Sequence, residues 1–94
     1  MTGKTSTGFE YNIDGQALKD FRFLRAISDM QSSDLARQVD GVAAMVQIIF
    51  NDRAQEDAFL RHVAKDGRAL TSDVIREMRE ILDSIKVQDE DVKN

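Results

Sequence analysis

Apolar residues recur at helical spacing along most of the chain, and the stripes they form predict its elements. Between Asp14 and about Gln31, Phe23, Leu24, Ile27 and Met30 share one stripe, with Ala17 and Phe21 flanking it. Asp14 can start this helix, because its carboxylate accepts the unpaired N–H groups of a first turn. Leu18 falls nearly opposite the stripe and is a candidate for an outward contact. "SSD" (Ser32 to Asp34) breaks the helix and caps a second one over about Leu35 to Phe50. Gly41 inside it either costs about 1 kcal/mol relative to Ala or divides the helix in two. In a continuous helix Val39, Val42, Ala43, Val46 and Phe50 share a face and Ile49 flanks it, while Met45 and Ile48 project away.

"DRAQ" (Asp52 to Gln55) has capping-box spacing for a third helix whose short stripe is Phe59, Leu60 and Val63. It is expected to end at Asp66, with Gly67 as the left-handed residue that closes it. The fourth helix, about Asp73 to Lys86, has the cleanest pattern. Val74, Ile75, Met78, Ile81, Leu82 and Ile85 cover one side; Arg76, Glu77, Glu80 and Asp83 cover the other. Before the helices, "GFEYNID" alternates Phe9, Tyr11 and Ile13 with polar residues, the period of a half-buried strand. No second stretch has a matching pattern, so this segment is expected to lie extended across the helices. These readings predict an all-α fold: a small bundle of four or five helices with a short extended N-terminal segment. Residues 1–8 are expected to form a flexible arm, 9–86 a single helical domain and 87–94 an acidic flexible tail. The expected core includes Phe23, Ile27, Val46, Phe59, Val63, Ile81, Leu82 and Ile85.

Composition narrows the function. A chain of 94 residues holds one core. Its 13 Lys plus Arg against 17 Asp plus Glu give a net charge of −4, which disfavours nonspecific contact with phosphate. Cys is absent and His occurs once, so thiolate and multi-imidazole metal sites are excluded. "VAAMVQIIF" (Val42 to Phe50) is well short of the ~20 apolar residues that span a bilayer, and "MTGKTSTGF" lacks the apolar region of a secretory signal. No cofactor or metal is expected, and the chain fits a reducing cytoplasm.

Two local features invite chemistry. The stretch "HVAKDGRALTSDVIREM" (His62 to Met78) reads as a helix, a tight corner and a second helix, which suits either DNA recognition or closure of the core. The outward face of the second helix carries Arg76 and Arg79, but Asp73, Glu77, Glu80 and Asp83 outnumber them, and this favours closure. His62 has Asp66 one turn onward and no visible nucleophile or cleft, so it does not mark an enzyme. "GKTS" (Gly3 to Ser6) echoes the end of a phosphate-binding loop without the upstream glycine or strand that such a loop needs. Apolar residues off the core stripes, Leu18, Met45 and Ile48, are instead the candidate partner-binding residues, since methionine adapts to differently shaped partners.

The stretches "NIDGQALKDFRFLRAISDMQSSD" and "VQIIFNDRAQEDAFLRHVAKDGRALTSDVIREMREIL" resemble the tail assembly chaperones of long-tailed bacteriophages and related prophages. The likeness is one of layout, over roughly Phe9 to Ile85: an extended opening, a first helix with "D-x-x-x-L-x-D-F-x-x-L", a short loop, an apolar second helix, and "L-x-H-x-x-x-D-G-R" leading into an amphipathic helix. It implies a small helical protein, without catalytic residues, that acts in the host cytoplasm during virion assembly. Its implied partners are the tape-measure protein, which it keeps soluble, and the tail-tube protein, with possible self-association. The chain would correspond to the short form of a family often made in short and frameshifted long forms. From the residues alone, the competing reading is a small helical DNA-binding regulator.

Overall fold

The computed structural model describes residues 1–93, with side chains for residues 1–85. The fold is mostly helical, with a short two-stranded ribbon followed by four α-helices among the described residues. Strands β1 (Thr2–Lys4) and β2 (Glu10–Asn12) pair antiparallel, Gly3 opposite Tyr11. Residues 1–8, expected as a free arm, therefore supply β1 and the tip of a hairpin. Glycine is needed at position 3 because the Tyr11 ring folds over it, in the space a Cβ would take. The Tyr11 hydroxyl then donates to Ser84 Oγ at 2.7 Å. Phe9, Tyr11 and Ile13, the apolar half of the alternation, are all buried.

A 3-10 turn (Gly15–Lys19) comes next, capped by Asp14. The single helix expected from Asp14 to Gln31 is thus two elements. Asp20 is extended, with ψ 128°, and its carboxylate accepts from Arg22 N to start α1 (Phe21–Met30) afresh. Phe23, Ala26 and Met30 are the buried residues of α1. Helix α2 (Leu35–Phe50) has the expected bounds, is capped by Asp34 and ends at a left-handed Asn51. It is continuous through Gly41, because α1 crosses it there. A Cβ on Gly41 would stand 2.5 Å from Met30 N and 2.8 Å from Ala26 O, so glycine permits backbone approach closer than any side chain allows.

Helix α3 (Arg53–Val63) is capped by Asp52 and stops at Ala64, two residues before the expected end at Asp66. A hairpin turn then leads out of it. Lys65 and Arg68 exchange backbone hydrogen bonds of 2.9 and 3.0 Å around Asp66 (φ 54°) and Gly67 (φ 80°). Two consecutive positive φ values define a type I′ turn, for which Asp-Gly is a preferred pair. Helix α4 is Thr71–Lys93. The acidic tail expected at 87–94 falls on residues whose side chains lie outside the described set.

Helix α2 lies at the centre, packing on α1, α3 and α4. Phe9 of the ribbon meets Phe50 of α2 and Phe59 of α3 edge-on, at ring separations of 5.9 and 5.3 Å. Such contacts add directional preference to the burial of three large side chains. Among the described residues no helix is long and apolar enough to cross a membrane.

Candidate binding groove

Because α1 turns its buried face toward α2 rather than α4, a gap remains between the 3-10 turn and α1 on one side and α4 on the other. It is a groove of about 890 Å³. Leu18, Phe23, Ile27 and Met30 line one wall, and Leu82 and Ile85 the other. The apolar surface continues outside it. Leu24 lies one turn from Ile27 on α1 and is 58% exposed, and Phe21, one turn further, is 72% exposed. Large apolar side chains scattered singly are ordinary on a surface; a row of them leading into an apolar groove is the arrangement that marks interaction sites.

The mouth of the groove is charged. Lys19 comes from the 3-10 turn, Arg79 and Asp83 from α4. Asp20 stands beside Lys19 in the chain. Its carboxyl is held down to about 2, chiefly by side-chain hydrogen bonds from Arg22 and then by the Arg22 backbone N–H. The Arg22 fork reaches its two oxygens at 3.1 and 2.7 Å.

Of the three residues expected to meet a partner, only Leu18 lies in this groove. Met45 is completely buried, and its expected exposure is overturned: α2 is covered on several sides, so a residue off its first apolar stripe still faces the core. Ile48 is half-buried and packs against that same core. Phe21 and Leu24, expected as flank and stripe of the core, are exposed instead, as are Leu35, Val39 and Leu70 elsewhere. The available signal was the pairing of small residues: Ala26 and Gly41 mark where α1 and α2 cross, and centring the buried face on Ala26 turns Leu24 outward.

A polar cluster lies at the hairpin tip, away from the groove. Thr7 Oγ1 donates to Glu77 Oε1 at 2.5 Å and lies 2.9 Å from His62 Nε2. With its proton committed to the carboxylate, the hydroxyl accepts from the imidazole N–H, so His62 does not activate Thr7 as a base would. Ser6 adds hydrogen bonds from its N–H and hydroxyl to Glu80, at 2.5 and 3.0 Å. The "GKTS" stretch thus forms part of a hairpin docked on α4. Glu77, placed by its spacing on the solvent side, is only 2% exposed under this tip, and among the described residues its Oε2 has no hydrogen-bond partner. At the corner between α3 and α4, Arg76 is paired with Asp73 at 3.2 Å.

A smaller hollow of about 200 Å³ lies between α2, α3 and the start of α4, lined in part by Val39, Val46, Leu60 and Val74. No family model matches the chain, and no curated protein or solved structure matches it either.

Proposed function

We propose that this chain is a non-catalytic tail assembly chaperone that holds helical stretches of a tape-measure protein in the host cytoplasm and helps recruit tail-tube subunits. The observation that carries the reading is the apolar groove between α1 and α4, with Leu24 and Phe21 exposed on α1 one and two turns before its lining residue Ile27. A helix that lays an apolar stripe into a groove is a common mode of recognition, and a partner that is helical over a long length can repeat it many times. The net charge of −4 supports the solubility such a carrier needs. The layout of the sequence, with its "D-x-x-x-L-x-D-F-x-x-L" opening and "L-x-H-x-x-x-D-G-R" corner, supports the choice of this family over other helical adaptors.

Co-expression tests it. The chain should raise the soluble yield of a co-expressed candidate tape-measure protein, and a Phe21→Ser, Leu24→Asp double variant should lose that gain while keeping its helical circular dichroism. These two side chains are exposed, so their replacement leaves the core intact. An unchanged gain with the double variant would show that Phe21 and Leu24 do not meet the partner. No gain with the parent chain removes the chaperone reading, and a salt-sensitive mobility shift on duplex DNA would then favour a regulator.

A further inference from the structure

The charges at the groove mouth specify the partner more closely than its apolar floor does. We infer that the groove selects an acidic amphipathic helix: one whose apolar stripe of about two turns is flanked by Asp or Glu. This inference rests on the proposed use of the groove and goes further by naming the chemistry of its occupant.

The walls set the length. The α1 wall runs from Phe23 to Gln31. At 1.5 Å per helical residue this is about 12 Å, the span of apolar anchors at i, i+3 or i+4, and i+7. The rim sets the sign. Lys19 and Arg79 stand on the two walls, and among the described residues neither is in an ion pair; the three ion pairs formed there use Arg22, Arg37 and Arg76. Among the described residues Asp83, one turn after Arg79, is the single carboxylate of the lining, so Lys19 and Arg79 outnumber it there. That local excess is opposite in sign to the chain as a whole, with its net charge of −4. Carboxylates flanking a bound stripe would meet Lys19 and Arg79, whereas ammonium groups would be repelled. Complementarity of this kind mainly sets specificity and encounter rate.

Two designed peptides of about 18 residues provide the test. Both carry Leu at i, i+3, i+4 and i+7, one flanked by Glu and the other by Lys, and each is titrated with the full chain by fluorescence anisotropy. In low salt the Glu-flanked peptide should bind on the order of tenfold more tightly, as expected of two solvent-exposed pairs gained rather than two repulsions, and high salt should close the gap. The Lys19→Glu, Arg79→Glu double variant should reverse the preference, since both side chains are exposed and their replacement spares the core. Equal affinity for the two peptides overturns the charge selection and leaves the apolar groove standing. Binding of neither peptide overturns the groove reading itself. A Glu preference retained in the double variant also overturns the inference, because it moves the selecting charges away from this mouth.

Discussion

Gly41→Ala sets two effects of known size against each other. In an ordinary exposed helix, replacing a central glycine by alanine stabilises by about 1 kcal/mol, because alanine loses less backbone freedom on folding. At position 41 the added methyl meets α1. It would lie 2.5 Å from Met30 N, 2.8 Å from Ala26 O and 2.8 Å from Asp29 Cβ. Two of these are backbone atoms, which cannot rotate aside, so the helices must separate. Overpacking of this kind costs about 1 to 3 kcal/mol, and contacts this short belong to the upper part of that range. The net expectation is a loss of about 1 to 2 kcal/mol. Urea unfolding followed by circular dichroism reads it as a lower midpoint with an unchanged slope, the sign of altered stability rather than an altered unfolded state. A variant more stable than the parent by about 1 kcal/mol would refute the close crossing of α1 and α2.

Three further substitutions probe separate features. Asp20→Asn removes a carboxylate whose folded pKa, about 2, lies below its ordinary value. The stability it contributes is present above about pH 4 and is lost as pH falls toward 2, so parent and variant should differ near neutrality and converge in acid; a gap that widens on acidification contradicts the assignment. Thr7→Val removes the donor to Glu77 Oε1 and leaves that buried carboxylate without its hydroxyl partner, for an expected loss of about 1 to 3 kcal/mol in thermal or urea unfolding. Gly67→Ala leaves open space around the new methyl but imposes a side chain at φ 80°, so it should cost on the order of 1 kcal/mol through backbone conformation alone, measured as a lowered urea midpoint.

The bounds of α2 and the apolar face of α4 were legible because period and caps agree there: Asp34 starts α2, and Val74, Met78, Ile81 and Ile85 follow one stripe. The elements that went unread depend on partners distant in sequence. Strand β1 has no alternating pattern, since its middle residue is a glycine chosen by the Tyr11 ring. Glu77 looks like a solvent residue until the hairpin tip covers it. Met45 looked exposed because a wheel drawn for one core face cannot register that α2 has neighbours on several sides. The groove was hidden for a related reason: Asp20 restarts the helix, and the crossing at Ala26 and Gly41, rather than the first apolar stripe, decides which way Leu24 points.

If the chain works as proposed, a helical partner occupies the groove between α1 and α4. Mapping of amide and methyl NMR shifts, on titration with a soluble helical segment of the candidate tape-measure protein, tests it most directly. Shifts should concentrate at Phe21, Leu24 and Ile27 on α1, at Leu18, and at Leu82 on α4, with Met45 little affected. Shifts concentrated instead at Val39, Leu60 and Val74, in the smaller hollow, or no shifts at saturating segment, would contradict it.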